Sequence, residues 1–466
     1  MKSNKDMCEV KKLLFSEAAV EQAKPLHLVA KDDLADWLAT LPEADRQWLE
    51  ASGFKAGAGE VALIPGASGV QGAAGGLGGA KDRGRKRFVA ASLRAKLPEG
   101  DWVFETTLSG EALDEAALGW LLSGYRFDRY ASAPKPKADL IAPDGIDAAR
   151  LERIAQGEAL VRDLINTPAS DMGPDELEAA ARDLANAQGA SIDVITGDDL
   201  LEANFPMIHT VGRASNRAPR LIDMRWGASG PKITLVGKGV CFDTGGLNLK
   251  PGASMGLMKK DMGGAANVLG LAHMLMAGEA ECQLRVLIPA VENSVAGEAF
   301  RPGDILNSRK GLTVEINNTD AEGRLVLGDA LALADEETPD LIISMATLTG
   351  AARVAVGPDL APYYASDDGD AQALERAAEI ARDPVWRMPF WEPYEPMIEP
   401  GIADLDNAPK GGFAGSITAA LFLKRFVTDT PRYVHFDVYG WNPSSAPGRP
   451  KGGVGQGIRA LYAVLG

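Results

Sequence analysis

The sequence predicts an α/β protein: a smaller N-terminal α/β domain, then a C-terminal domain with a mixed, largely parallel sheet sandwiched by helices. The chain has 466 residues, a length at which two domains are expected. In its later part, apolar strand-like runs alternate with amphipathic helical patterns, as in a sheet covered by helices. Proline-rich residues 132–143 interrupt these patterns. We therefore place the domains at residues 1–135 and 151–466, with a linker at residues 136–150.

The N-terminal elements follow from local composition and periodicity. Helices are predicted at residues 32–41 and 111–123, and strands at residues 61–64 and 103–107. Residues 72–79 are rich in glycine but contain neither a GxxxxGKS or GxxxxGKT motif nor a clean GxGxxG. We therefore predict a mobile loop or turn there, and not a phosphate cradle.

The C-terminal elements show the alternation on which the fold class depends. Amphipathic helices are predicted at residues 151–164 and 174–186. Apolar strands are predicted at residues 191–195, 233–236, 284–288, 341–345 and 434–438. Functional sites in such sheets gather at the carboxyl ends of strands. Lys238 and Thr347 lie just beyond two of these runs, which makes both positions candidates for a site.

Composition and charge restrict the class of protein. A hydrophobic content of 46% and a charged content of 24% are ordinary for a globular protein. The formal net charge of −16 argues against nucleic acid as a partner, and we interpret the short basic run at residues 81–86 as a solvated loop. The chain has no apolar stretch of ~18 residues and no signal-peptide core at residues 1–8, so we predict no membrane span. Cys8, Cys241 and Cys282 lack CxxC spacing and suit a reducing compartment, which predicts a cytoplasmic protein.

The octapeptide at residues 318–325 is the most informative motif in the chain. It places Asp320, Glu322 and Arg324 two residues apart, so in an extended segment all three side chains point to the same side. Two carboxylates among apolar neighbours are costly to bury unless a cation neutralises them, and a divalent metal is the natural candidate. The alternative is that the two acids are solvated or cap a helix, which is common for an Asp-x-Glu pair.

A second cluster lies upstream, in a segment rich in glycine. Lys238, Asp243 and Lys250 follow the apolar run at residues 233–236. Lys238 and Asp243 are an odd number of residues apart, so a regular strand would place them on opposite faces. Glycines around them permit the bend that would bring them together. Taken singly, the two lysines are equally consistent with solvated side chains and Asp243 with a turn cap.

A third segment begins a helix-like stretch of small residues after Asp261. Met258 and Asp261 lie on one face at i, i+3 spacing. Asp261 is also consistent with a helix N-terminal acid, and Met258 with plain core packing. The four histidines lie outside all three segments, so any metal site here is rich in oxygen ligands. Zinc, manganese and magnesium all remain candidates for such a site.

Together the three segments resemble the leucine aminopeptidase family, the two-metal cytosol aminopeptidases. The resemblance covers roughly residues 150–466, and it rests on residues 238–250, 258–266 and 318–325. It implies that residues 151–466 form a catalytic aminopeptidase domain. Residues 441–450 depart from the commonest form of the family, which affects the expected preference for leucine.

The resemblance implies a role for each of five metal ligands. Lys238, Asp243, Asp261 and Glu322 would hold one metal. Asp243, Asp320 and Glu322 would hold the other, with the backbone carbonyl of Asp320 contributing. Asp243 and Glu322 would bridge the two ions, which are expected to be zinc or manganese, with magnesium as a further candidate. A lysine ligand must be neutral, and two nearby dications would depress its pKa.

The resemblance also implies the residues that act on the substrate. Lys250 and Arg324 would be catalytic: Lys250 would polarise the scissile carbonyl, and Arg324 would hold a bicarbonate ion, the proposed general base. Met258 and Asn318 would line the substrate pocket.

The activity implied by the resemblance is that of a metalloaminopeptidase. A metal-bridged water or hydroxide would release the first residue of peptides that have a free N-terminus, and the chain is expected to form a homohexamer. Two alternatives stay open: another two-metal hydrolase, such as a phosphatase or nuclease, and a binding or regulatory protein on the same scaffold.

Overall fold

The computed structural model describes residues 11–466. Residues 1–8 lie outside this range. They include Cys8 and are the residues for which no signal-peptide core is predicted. The described residues divide into two compact units. One consists of residues 11–159 and 444–451, and the other of residues 160–443 and 452–466.

The N-terminal unit is built on a sheet whose strands run in the order β2-β3-β1-β4-β5. β2 and β3 are antiparallel, and the other neighbours are parallel. The predicted helices and strands of this part are confirmed within a few residues. Its elements are β1 (Lys24–Ala30), α1 (Leu34–Thr40), α2 (Glu43–Ala51), β2 (Val61–Gly66), β3 (Gly69–Gly78), α3 (Ala80–Arg85), α4 (Ala91–Arg94), β4 (Gly100–Glu105), α5 (Glu111–Ser123) and β5 (Ala138–Leu140), followed by α6 (Ala148–Asn166), which continues past residue 159.

Two predictions for this unit are wrong. The glycine-rich residues 72–79 are not a mobile loop, because most of them form the buried strand β3 between β1 and β2. A Cβ atom on Gly76 would lie 2.2 Å from the Gly57 carbonyl oxygen, so glycine here permits close packing of the backbone. The basic run at residues 81–86 is largely solvated as predicted, but most of it forms the short helix α3 rather than a loop.

The C-terminal unit follows the predicted alternation of strands and helices. Its elements are α7 (Pro174–Gln188), β6 (Ser191–Thr196), α8 (Asp199–Glu202), α9 (Pro206–Gly212), β7 (Arg220–Trp226), β8 (Lys232–Gly237), β9 (Gly239–Asp243), α10 (Gly252–Met255), α11 (Gly263–Ala277), β10 (Gln283–Asn293), β11 (Ile305–Asn307), β12 (Thr313–Glu315), α12 (Gly323–Glu336), β13 (Leu341–Ala346), α13 (Gly350–Val356), β14 (Ala361–Ala365), α14 (Asp368–Ile380), β15 (Val385–Arg387), β16 (Leu405–Asp406), α15 (Gly415–Lys424), β17 (Tyr433–Asp437), β18 (Trp441–Asn442), β19 (Gly452–Gly453) and α16 (Ile458–Leu465).

The main sheet of this unit is mixed, with a parallel centre. Its strands run in the order β15-β14-β17-β13-β8-β10-β7-β6, and β9 also pairs with β10. The central strands β17, β13, β8 and β10 are parallel to one another, whereas β14, β7 and β6 form antiparallel pairs. Helices α11 and α12 pack against β8, β10 and β13, so these strands are buried and read as continuous apolar runs. The fold class predicted from the sequence is confirmed.

The parallel centre brings the carboxyl ends of β8 and β13 to one edge of the sheet, and β9 pairs with the last residues of β10. Lys238 and Thr347 follow β8 and β13 at this edge, where the sequence analysis expects a site. Among residues 11–466, no helix is long and apolar enough to cross a lipid bilayer.

Candidate metal centre

Lys238 interrupts the strand between β8 and β9, which both pair with β10. β8 ends at Gly237, and β9 begins at Gly239. The backbone N–H of Lys238 donates to the Met345 carbonyl at 3.0 Å, and the N–H of Ala265 donates to the Lys238 carbonyl at 2.9 Å. The bend predicted from the odd spacing is therefore confirmed, and it fixes Lys238 between β13 and the first turn of α11.

The Lys238 ammonium lies in a buried group of acids. Its Nζ is 2.7 Å from Asp261 Oδ2 and 3.0 Å from Glu322 Oε1, and it donates to the Thr347 carbonyl at 3.1 Å. The Thr347 hydroxyl donates to Asp261 Oδ1 at 2.8 Å. Burial opposes the charged form of Lys238, but the neighbouring carboxylates outweigh it and raise its pKa above the ordinary value.

The octapeptide at residues 318–325 is not extended, so the strand geometry assumed for it is wrong. A turn precedes α12, which begins at Gly323, and Arg324 therefore lies in the first turn of a helix. The backbone at Gly323 passes close to Lys238, since a Cβ atom there would lie 2.5 Å from Lys238 Cε. The two acids converge because the chain turns into a helix, and not because residues alternate along a strand.

Asn407 holds this turn in place. Its Oδ1 accepts the backbone N–H groups of Asn317 at 2.9 Å and Asn318 at 3.2 Å, and its Nδ2 donates to the Asn318 carbonyl at 2.7 Å. The Asn318 side chain in turn accepts the N–H of Asp320 at 2.9 Å. Asn318 therefore shapes the turn that presents the Asp320 carboxylate.

A cluster of three carboxylates forms where these segments meet. Asp243, Asp320 and Glu322 each offer an oxygen within 4.8 Å of the other two. Lys250 Nζ lies 2.8 Å from Asp243 Oδ2 and 2.5 Å from Asp320 Oδ1. Asn293 Nδ2 donates to Asp243 Oδ1 at 2.9 Å, which orients that carboxylate. Each of the two lysines thus lies between two acids.

The electrostatics of the cluster fit a divalent cation. Burial, together with the charge of Glu322, raises the pKa of Asp243 to about 7, and burial together with Asp243 raises the pKa of Asp320 to about 7. Glu322 Oε2 is buried and accepts no hydrogen bond from any of residues 11–466. Carboxylate oxygens that repel one another and lack donors are suitable ligands for a hard or borderline metal ion.

The contacts of the Arg324 side chain are with residues outside the carboxylate cluster. Its Nη1 donates to the Asn407 carbonyl, and its guanidinium carbon lies 6.0 Å from the centre of the Phe422 ring. Burial lowers the pKa of Arg324 to about 10. Its buried Nε–H has no acceptor within the described part of the chain, so the guanidinium is free to bind an anion.

Met258 begins the short turn that leads to Asp261. The backbone N–H of Asp261 donates to the Met258 carbonyl at 3.1 Å, and the Met258 side chain is half-buried. Met258 is therefore close in the chain to the metal centre and not part of the fully buried core.

Comparison with known proteins decides the family. The model of the catalytic domain of the cytosol aminopeptidase family matches residues 159–462, and that of the M17 aminopeptidase N-terminal domain matches residues 24–143. The chain belongs to the cytosol aminopeptidase family. A probable cytosol aminopeptidase of Roseiflexus castenholzii is 43% identical over 366 residues, which cover 74% of this chain and 75% of that protein.

Two solved structures share the fold of this chain over nearly its full length. The crystal structure of cytosol aminopeptidase from Coxiella burnetii has a TM-score of 0.91 and 43% identity, covering 98% of this chain and 99% of that one. The bottromycin maturation enzyme BotP, solved in complex with Mn, has a TM-score of 0.85 and 30% identity, covering 95% of this chain and 99% of that one. This cytosol aminopeptidase family member is a metal-dependent hydrolase of the exopeptidase class.

Sequence reasoning missed two residues that shape the aminopeptidase site. Asn293 ends β10, so the rule that sites gather at the carboxyl ends of strands gives a signal that would have found it. Asn407 follows β16, which pairs with β12, and only this tertiary contact brings it to the octapeptide. The sequence contains no local signal for Asn407.

Proposed function

We propose that this aminopeptidase uses two divalent metal ions, zinc or manganese, with magnesium as a further candidate, to remove the first residue of peptides that have a free N-terminus. The observation that carries the proposal is the cluster of Asp243, Asp320 and Glu322, in which the carboxylate oxygens lie within 4.8 Å of one another. Four buried or half-buried acids and two lysines in one cluster are difficult to explain as a structural ion-pair network, because buried charges cost more than their mutual attraction returns.

In this proposal the ligands divide into two overlapping sets. Lys238, Asp243, Asp261 and Glu322 hold one ion, and Asp243, Asp320 and Glu322 hold the other, with help from the Asp320 carbonyl. Asp243 and Glu322 belong to both sets, so each would serve as a ligand to both ions. When bound, the two ions supply Lewis-acid activation of water and of the scissile carbonyl.

Lys250 has the position of an electrostatic catalyst. Its ammonium lies 2.8 Å from Asp243 and 2.5 Å from Asp320, so it is held at the carboxylate cluster by two ion pairs. A compact cation held there polarises the carbonyl of a bound peptide and stabilises the oxyanion that develops during hydrolysis. One such preorganised donor typically contributes about 3–4 kcal/mol to the transition state.

Arg324 supports a separate proposal for the general base. Its guanidinium is buried, and its Nε–H lacks an acceptor among residues 11–466, so it is able to bind an anion. We propose that this anion is bicarbonate, which has the chemistry of a general base. Met258 and Asn318 line the pocket for the substrate side chain in the same proposal.

The wider context of the enzyme is proposed from its relatives. Their name, cytosol aminopeptidase, supports a cytoplasmic location for this chain. A homohexamer and the domain boundaries at residues 1–135, 136–150 and 151–466 complete the proposal. Light scattering of the purified protein tests the hexamer, since a monomeric mass would contradict it.

Metal-dependent hydrolysis tests the proposed reaction directly. The purified protein is treated with a chelator and then assayed on leucine p-nitroanilide with zinc, manganese or magnesium added back. We expect release of nitroaniline only after a metal is restored. No release with any metal, across several aminoacyl anilides, would refute the proposal, and hydrolysis of phosphate esters instead would indicate another two-metal hydrolase.

A further inference from the structure

One buried lysine beside the metal centre has no carboxylate within ion-pair distance in the described part of the chain. Lys260 is only 6% exposed. Among residues 11–466, its Nζ makes no hydrogen bond and lies within 4.0 Å of no carboxylate. A buried charge without a partner is expensive, so its presence at this place calls for a ligand that supplies the missing charge.

The neighbouring residue Asp261 supplies this charge only in part. Asp261 Oδ2 pairs with Lys238 Nζ at 2.7 Å, and its Oδ1 accepts the Thr347 hydroxyl at 2.8 Å. Both oxygens are therefore used by other donors. In the proposed enzyme Asp261 is also a metal ligand, which leaves even less of its charge for Lys260.

Asp437, the other acid that acts on the charge of Lys260, is also fully occupied. Its Oδ1 accepts the backbone N–H groups of Leu348 at 3.2 Å and Thr349 at 2.9 Å. Its Oδ2 accepts the Thr349 hydroxyl at 2.5 Å and the Ser416 hydroxyl at 2.9 Å. Four donors around one carboxylate leave no oxygen for the Lys260 ammonium.

The remaining surroundings of Lys260 add positive charge. Its Nζ lies 4.7 Å from the centre of the Tyr439 ring, and the guanidinium of Arg353 lies 5.3 Å from the same ring. The ring face compensates each cation only in part. Gly440, next to this ring, packs against Thr347, since a Cβ atom on Gly440 would lie 3.2 Å from Thr347 Cγ2. The two cations thus lie near one ring at the edge of the metal centre.

We infer that Lys260, with Arg353 beside it, recognises a carboxylate of the peptide substrate. The carboxylate belongs either to an acidic side chain or to the C-terminus of a short peptide, and both supply the charge that Lys260 lacks. The inference rests on the proposed function and narrows its substrate class to peptides that carry a carboxylate near the scissile bond.

Paired substrates that differ only in one charge test the inference. The metal-loaded enzyme is assayed on the p-nitroanilides of glutamate and glutamine, and on the dipeptide Leu-Gly beside leucyl-glycinamide. We expect kcat/KM to be at least about tenfold higher for the anionic member of one pair, the usual discrimination of a charged hydrogen bond. The pair that discriminates identifies the source of the carboxylate.

Variants then assign the discrimination to Lys260. In Lys260→Met we expect the ratio within the discriminating pair to fall towards one, and in Lys260→Arg we expect it to persist. Lys259→Met is the matched control, because the Lys259 ammonium already donates to the Asn166 carbonyl at 2.6 Å, and it should keep the wild-type ratio. Arg353→Met changes an exposed residue and should lower the kcat/KM ratio of the discriminating pair in part. This variant provides a second test if Lys260→Met does not fold.

Two results would overturn the inference. The first is hydrolysis of leucine p-nitroanilide without any charge preference in either pair, which leaves the proposed aminopeptidase function intact. The second is a preference that persists in Lys260→Met. Failure to cleave every aminoacyl substrate with any metal would instead refute the proposed function itself, so the two failures are distinguishable.

Discussion

Replacing Gly264 with alanine should misplace Lys238 and destabilise the C-terminal unit. A Cβ atom on Gly264 would lie 2.1 Å from the Met345 carbonyl oxygen and 2.8 Å from the Lys238 nitrogen. Both obstacles are backbone atoms, so α11 must move away from β8 and β13 by roughly 1 Å to restore an ordinary contact. Overpacking of this kind costs about 3 kcal/mol, and the helix preference of alanine over glycine returns about 1 kcal/mol.

The net cost of about 2 kcal/mol for Gly264→Ala corresponds to a decrease in Tm of about 3 °C for a unit of this size. A displacement of about 1 Å at the site is expected to lower kcat/KM by about 100-fold. Thermal unfolding followed by circular dichroism and aminopeptidase assays at saturating metal measure the two effects.

Gly252→Ala is the matched control for this experiment. Gly252 also lies at the start of a helix, but a Cβ atom there would meet no heavy atom within 4 Å. Its Tm and kcat/KM should remain near those of the wild type. If Gly264→Ala matches the wild type in Tm, metal content and activity, the close approach of α11 to the strand break does not position Lys238, and the reasoning is wrong.

Glu322→Gln should lose bound metal and activity together, because Glu322 belongs to both proposed ligand sets; unchanged metal content by mass spectrometry would contradict its bridging role. Lys250→Ala should lower kcat by about 100- to 1,000-fold while metal content stays near that of the wild type, and a fully active variant would refute its role at the carbonyl. Asn407→Ala should lower the free energy of unfolding by about 2–3 kcal/mol, because two backbone N–H groups at the octapeptide turn lose their acceptor; an unchanged denaturation midpoint would show that water replaces it.

The fold was predictable wherever side chains carry the pattern. The runs that form β8, β10 and β13 are apolar because these strands are covered by helices, so their composition reveals them. Strand β3 escaped prediction because its buried residues are mostly glycine and alanine, which show no alternation of apolar and polar side chains. The absence of Cβ atoms at its glycines lets neighbouring backbone segments approach β3 closely. Single-residue propensities do not reveal such an approach.

The sequence predicted that the motif residues meet, but not the geometry in which they do so. The two lysines and four acids of the motifs do converge, as the spacing and the resemblance suggested. The octapeptide, considered as an extended segment in the sequence analysis, is a turn followed by α12, and the backbone at Gly323 packs against Lys238. The contact between Gly323 and Lys238, which are 85 residues apart in sequence, favours the turn. The local pattern of charges is compatible with either an extended segment or a turn.

The same convergence couples metal binding to the release of protons. In the metal-free cluster, the raised pKa values of Lys238, Asp243 and Asp320 mean that these groups hold protons near neutral pH. Metal ligands must be deprotonated, so each ion that binds expels the protons that its ligands carry. Metal affinity should therefore rise with pH through 7 and above, and a pH-stat titration with zinc should record at least about one proton released per subunit. Metal uptake without proton release at pH 7 would mean that Lys238 keeps its ammonium and that Asp243 and Asp320 are already ionised before the metal binds.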